Sequence, residues 1–353
     1  MNRNDNDTSS FKLAATGDVL LHNRVYKKAK RKIRRGYDFN GMFEGVRHLF
    51  TQGDLTIVNQ ESIIGGEELG LSSYPRFNSP VEIGETLKEL GVDIVNLANN
   101  HVLDKGEEGI LKSIENWEKL GIPYVGAYKS EEDQQDLRIF NKNGLKICFL
   151  SYTKRMAGVK IPKGKEYLVD SFEKASVNKI SKFIREIRKQ KIVDVIVLSV
   201  HYGKEYHLFP TSDQKEISAS LADAGADVII GHHPHVLQPP AYILSSRGTK
   251  TFTAYSLGNF FSGQKGVYRQ IGAFLTLDVV KKNNSPIVKA INPKMQLTFC
   301  DSSDKGDYKM HLLKDIVNER EHIKTHMGDF DSTDVYNEIT EHMKTWVPDL
   351  DIS

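Results

Sequence analysis

Five times along this 353-residue chain an apolar, β-branched run ends in a residue able to hold a metal or a proton. KLAATGD ends at Asp18, DLTIVNQE at Glu61, VDIVNLANNH at Asn100 and His101, DVIVLSVH at His201, and DVIIGHHPH at His232, His233 and His235. Apolar runs bounded by turn residues read as buried strands. In open α/β sheets ligands bind outside the carboxyl ends of the strands, so five such endings on one edge build a single site. GHHPH is the most specific ending. Side chains alternate along an extended segment, which predicts that His233 and His235 face one side while Pro234 stiffens the backbone between them. Two imidazoles on a rigid edge suit zinc, manganese or iron. Oxygen from Asp18, Glu61 and Asn100 with nitrogen from His201, His233 and His235 makes a set for one ion, or for two that share a carboxylate about 3.5–4 Å apart.

Between the strands lie amphipathic stretches with apolar residues at helical spacing: FNGMFEGVRHLF, VEIGETLKELG, EEGILKSIENWEKLG, SFEKASVNKISKFIREIRKQ and TSDQKEISASLADAG. Such alternation from Phe11 to about Gly231 predicts a layered α/β domain. After Pro239 the pattern changes to strands joined by polar turns, which gives a two-sheet sandwich flanked by helices. A polar tail over residues 1–10, a main domain over 11–300 and a helical C-terminal extension over 301–353 follow. The extension holds MHLLKDIVNEREHIK and DVYNEITEHMKTW, and is read as an accessory lid or an oligomerisation element.

Composition is that of an ordinary globular enzyme, with 39% hydrophobic and 27% charged residues and a formal net charge of +2. That balance argues against nucleic acid as a partner, as does the absence of stacking aromatics interleaved with basic residues. The opening MNRNDNDTSS has no apolar stretch for export and no later run approaches a membrane span, so a cytoplasmic protein is expected. Cys148 and Cys300 sit in apolar runs and read as buried thiols.

GDVLLH, VNQES, NLANNHVLDKG, VHYGKEY, DAGADVIIGHHPHVLQ and YSLGNFFSG together resemble the CapA family, the bacterial poly-γ-glutamate capsule synthesis proteins, a branch of the calcineurin-like metallophosphoesterases. The resemblance spans roughly residues 11–277. It implies a metallophosphoesterase-like αββα fold and one or two divalent ions. Asp18 resembles the first-strand aspartate, and Glu61 the bridging carboxylate, a glutamate where phosphoesterases usually have aspartate. Asn100, His201 and His233 would complete one metal position, and His235 would return to the other. A register using His232 in place of His233 stays open. Phosphoesterases carry a histidine two residues after the first aspartate, where this chain has Leu20; His22, two residues further on, is the available substitute. The capsule-making relatives resemble membrane-anchored proteins that work outside the cell, unlike the cytoplasmic reading above.

His101 resembles the histidine that phosphoesterases use near the leaving group, with Asp104 placed to orient it and Glu205 and His207 in a loop that would face substrate. Asn259, with Tyr255 and Ser256 in YSLGNF, is read either as a ligand contact or as part of a strand-ending turn. The basic run YKKAKRKIRRG, including Lys30, Arg31 and Arg34, is read either as a solvated helix face or as a flap that captures an anionic small molecule, peptide or polyglutamate. Three functions fit. The first is metal-dependent hydrolysis of a phosphoester or amide, linked to poly-γ-glutamate or peptide biosynthesis. The second, suggested by relatives associated with peptide epimerisation, is metal-dependent inversion of a residue in a peptide. The third is a non-enzymatic, metal-bound part in a polymer synthesis or export assembly.

Overall fold

The computed structural model describes residues 8–353 apart from Arg34, Glu173, Lys174, Asn284, residues 303–306 and His326. From the amino end the chain forms β1 (Thr8–Leu20), α1 (Asn23–Ala29), β2 (Leu55–Gln60), α2 (Glu82–Leu90), β3 (Ile94–Asn96), α3 (Gly106–Leu120) and β4 (Tyr124–Val125), and strands β1 to β4 pair side by side in parallel. Next come α4 (Glu131–Gln135), β5 (Arg138–Lys142), β6 (Leu145–Thr153), α5 (Val177–Gln190), β7 (Val195–His201), α6 (Ser212–Ala224) and β8 (Val228–His232). Here β6, β7 and β8 are parallel, and β5 closes antiparallel on β6. The strand-rich portion holds β9 (Leu237–Gln238), β10 (Ala241–Leu244), β11 (Lys250–Ala254), β12 (Ser256–Leu257), β13 (Asn259–Ser262), β14 (Ile271–Lys282) and β15 (Val288–Asp301). The end of the chain adds β16 (Lys309–Leu312), α7 (Leu313–Glu319), β17 (His322–Thr325), β18 (Gly328–Asp331), α8 (Ser332–Met343) and β19 (Asp351–Ile352).

Two sheets result. One runs β16-β15-β14-β1-β2-β3-β4, with β13 beside the end of β1 and β19 beside β15; the other runs β10-β11-β8-β7-β6-β5. Their facing sides share one core, where Leu13, Ala15 and Ile57 of the first sheet meet Phe149, Val197 and Ile230 of the second. The outer side of the first sheet packs Val58 and Val95 against Ile83, Ile114 and Trp117 of α2 and α3. The outer side of the second packs Leu198 and Ile229 against Ile184 and Leu221 of α5 and α6. Each such fully buried side chain contributes about 1.5–3 kcal/mol, so both layers of helix are fixed by area removed from water. The architecture is the two-sheet sandwich flanked by helices that the alternation of segments predicts.

Several elements depart from expectation. FNGMFEGVRHLF forms two 3₁₀ segments, Asn40–Met42 and Glu44–Thr51, in place of one α-helix. Phe39, Phe43 and Phe50 pack on Phe260, Phe261 and Phe274, and Gly45 lies where a β-carbon would meet the Met310 carbonyl oxygen at 2.5 Å, so tertiary packing sets the pitch. In the basic run the helix stops at Ala29. MHLLKDIVNEREHIK is helical only over Leu313–Glu319, because its ends are taken into β16 and β17. The C-terminal segment therefore carries strands as well as helices, and it joins the first sheet through β16 and β19. At the other end Thr8, Ser9 and Ser10, expected in the polar tail, pair with Lys282, Lys281 and Val280. Among the described residues no helix is long and apolar enough to cross a membrane. Cys148 and Cys300 are buried free thiols, and burial pushes each up to about 12.

Candidate metal centre

The carboxyl ends of β1, β2, β3, β7 and β8 open on the same edge of the sandwich, and the residues that follow them meet there. Asp18 and Glu61 are fully buried. His235 Nδ1 lies 3.0 Å from Asp18 Oδ2, and His232 Nδ1 lies 3.2 Å from Asp18 Oδ1. Glu61 Oε1 is 3.5 Å from His201 Nε2 and 3.7 Å from His235 Nε2, while His201 Nε2 is 3.0 Å from Asn100 Oδ1. The ring centres of His201 and His233 are 4.8 Å apart, and those of His233 and His235 are 5.9 Å apart. Glu61, His233 and His235 each offer a ligand atom within 4.8 Å of the others.

The turn aims these rings, in place of the alternation predicted above. β8 ends at His232, and both His233 (φ 97°) and His235 (φ 57°) occupy the left-handed region. Non-glycine residues there cost about 1–3 kcal/mol and persist only where surroundings hold them, which is common at functional sites. His232 consequently points at Asp18, while His233 joins Glu61 and His235, so the two registers open in the sequence are divided between different partners.

The electrostatics are those of a cation site. Burial drives Glu61 well above the usual carboxylate range, and neither of its oxygens has a hydrogen-bond partner among the described residues. Burial opposes ionisation of Asp18 too, but the close His232 and His235 rings outweigh it and hold Asp18 well below its ordinary value. Burial, reinforced by neighbouring histidines, lowers His201, and lowers His233 to about 3. His235 goes the other way: burial is overcome by Glu61 and Asp18, which raise it to about 9. A buried carboxylate that makes no hydrogen bond among the described residues is costly, and a divalent ion among Glu61, His233 and His235 would satisfy it together with neutral imidazoles. Nitrogen plus carboxylate oxygen is a donor set for zinc, manganese or iron.

Around this cluster the other expected residues divide. His101 Nδ1 lies 2.7 Å from Asp104 Oδ2, and that oxygen also accepts the Phe77 backbone N–H at 2.6 Å. Glu205 is exposed in the loop after β7, and its charge acts on Glu61 and His235. His22 does not join the donor set. It lies edge-on to Phe77, its Nδ1 is 3.2 Å from the Leu20 carbonyl oxygen, and burial lowers it to about 4. Asn259, read as a ligand contact or as part of a strand-ending turn, braces His235: its Oδ1 is 3.0 Å from His235 Nδ1, and its amide donates to the Arg269 carbonyl at 2.8 Å. Lys30 lines a separate surface cavity with Tyr26, Lys27, Tyr37, Glu67 and Leu71, and the Arg31 N–H donates to the Gly36 carbonyl. The structure does not bring either to the metal edge. Arg34 lies outside the described residues.

A buried polar chain was missed from the sequence. Asn59 Nδ2 donates to Asp18 Oδ1 at 2.7 Å, Asn96 Nδ2 donates to Asn59 Oδ1 at 2.9 Å, and Ser151 Oγ donates to Asn96 Oδ1. All four residues are fully buried, and the chain crosses from the first sheet to the second. Its signal was present in the asparagines that interrupt LTIVNQ and IVN, since a polar residue on a strand buried on both faces needs a partner.

The fold is metallophosphoesterase-like, a two-sheet sandwich between layers of helix. A crystal structure described as a novel phosphatase from Mycoplasma pneumoniae superposes with a TM-score of 0.51 at 15% identity, covering 82% of this chain and 94% of that one. The profile of the family described as bacterial capsule synthesis protein PGA_cap matches residues 12–264, and the chain belongs to that family. It is 33% identical over 320 residues to the capsule biosynthesis protein CapA of Bacillus anthracis, covering 88% of this chain and 74% of that protein. It is 29% identical over 286 residues to the PGA biosynthesis protein CapA of Bacillus subtilis strain 168, covering 76% and 67% respectively.

Proposed function

We propose that this edge is a metal-dependent hydrolytic centre acting on a phosphoester or amide bond of an anionic substrate in poly-γ-glutamate or peptide biosynthesis. One observation carries the reading: Glu61 is fully buried, neither of its oxygens has a hydrogen-bond partner among the described residues, and His233 and His235 converge on it. Glu61, His233 and His235 would hold the ion, with Asp18, His201 and Asn100 beside them. A divalent ion there would supply Lewis acidity, activating a water and polarising a phosphoryl or carbonyl oxygen. Asp104 accepts from His101 Nδ1 and fixes the ring, which leaves Nε2 to protonate the leaving group. The names of the two Bacillus relatives support a polymer or its precursor as substrate.

The test is elemental analysis paired with turnover. Wild type should carry zinc, manganese or iron, His233→Ala should carry much less, and release of phosphate or an amine should follow metal content. Deuterium entering a substrate Cα from solvent without bond cleavage would assign inversion of a residue instead. Bound metal with neither reaction across phosphoester and γ-glutamyl substrates would leave the non-enzymatic role.

A further inference from the structure

Beside the metal edge lies a small cavity of about 40 Å³, lined among others by Asn100, His201, His233, Lys154, Arg155 and Asp213. The loop that forms one wall is fastened to the site at both ends. The Lys154 N–H donates to the His201 carbonyl at 2.8 Å, and the Ala157 N–H donates to the Asn100 carbonyl at 2.8 Å. Between these points Thr153 Oγ1 donates to the Arg155 carbonyl at 2.8 Å. Lys154 is neutralised by its ion pair with Asp213. Arg155 is exposed and has no carboxylate partner among the described residues. A loop held at the ends of β3 and β7 thus places an arginine with no carboxylate partner among the described residues at a cavity also lined by His201 and His233, and its charge acts on His233. A planar fork of N–H donors matches a carboxylate or phosphate, and the volume admits such a head group's oxygens but no large apolar group.

We propose that Arg155 is the specificity residue of this site, binding an oxyanion of the substrate next to the bond held at Glu61, His233 and His235. The inference rests on the metal-dependent reading for its orientation, but not for its contact. Two sources share the chemistry: a non-bridging phosphoryl oxygen, or the free carboxylate that accompanies each amide of a γ-linked glutamate chain.

The experiment is calorimetric titration of the full chain with Mn²⁺, then of the Mn²⁺-loaded protein with inorganic phosphate and separately with glutarate. Wild type, Arg155→Ala, Arg155→Lys and Arg247→Gln, a surface arginine that lines a different cavity, are compared. Arg155→Ala should weaken one of the two anions about 10–100-fold, the effect of removing a charged hydrogen-bonding partner. Arg155→Lys should recover part of that loss, Arg247→Gln should match wild type, and Mn²⁺ binding should be the same in all four. Loss with phosphate alone points to a phosphoester, and loss with glutarate alone to a carboxylate-bearing chain. Equal anion binding by wild type and Arg155→Ala, or no binding of either anion by wild type, overturns the proposal. Failure of wild type to bind Mn²⁺ would instead overturn the metal reading, and the same titrations on metal-free protein would still decide the role of Arg155.

Discussion

His235 and Glu61 should make the metal-free protein sensitive to alkali. A histidine raised from about 6.5 to about 9 contributes stability that is fully present below 6.5 and is lost as pH rises through 9. Glu61, raised above its ordinary value, acts in the same direction, because its buried charge must be formed as pH rises. Metal ligation needs the neutral ring and so displaces the proton. The Tm of chelator-treated protein should therefore fall between pH 7 and 9, while the gain in Tm on adding Mn²⁺ grows over the same window. A flat profile in thermal scans would show that His235 is not protonated in the metal-free state. His101→Ala should keep its metal and lose turnover about 10²–10⁴-fold, since the ring pairs with Asp104 and lies outside the Glu61–His233–His235 group. Loss of metal and turnover together would place His101 in the coordination set. Asn59→Ala should weaken Mn²⁺ binding about 10–100-fold by releasing Asp18, as removal of a ligand's hydrogen-bond partner does. The ligand types were legible because each ends an apolar run. What Asn59, Asn96 and Arg155 do was not, since partners 37 to 55 residues apart, or in a loop stapled to two strands, leave no local pattern.

At the scale of the element, glycines set how closely the strands approach the site. A β-carbon on Gly17 would meet the Gly258 carbonyl oxygen at 2.1 Å, and one on Gly231 would meet the Tyr255 carbonyl oxygen at 2.0 Å. Both partners are backbone and have little room to yield. Gly231→Ala should cost at least the 1–3 kcal/mol typical of overpacking, about that much in a denaturant titration, and should reduce bound metal because His232, His233 and His235 follow directly. Unchanged stability would show that β8 slides freely against Tyr255. The strands and the helices α2, α3, α5 and α6 were readable from apolar period, with Gly91 and Gly121 ending α2 and α3 in the left-handed conformation that glycine favours. The 3₁₀ segments and the bent GHHPH turn were not, because aromatic packing in one case and ligand geometry in the other override local preference.

For the whole molecule, the C-terminal segment packs on the loop that follows β7, beside the candidate metal edge. His342 Nε2 lies 2.9 Å from the Leu208 carbonyl oxygen, and Phe209 packs on both His342 and Trp346. The same loop carries Glu205 and Tyr206; the Arg269 guanidinium lies over the Tyr206 ring, which sits tilted beside His235. Trp346→Ala should leave metal content unchanged and raise hydrogen exchange in residues 204–209; unaltered exchange would show that the loop is held by its own contacts. The polar chain from Asp18 through Asn59 and Asn96 to Ser151 has a wider effect. It is a gauge set across the gap between two sheets, with the metal edge at one end and β6 at the other. The spacing of the layers would therefore enter the geometry with which these residues hold an ion. A hollow made far from any ligand, such as Phe149→Ala in the shared core, should register as weaker metal binding as well as lower stability. In this fold, thinning the sandwich and loosening a bound ion would be the same deformation seen from two ends.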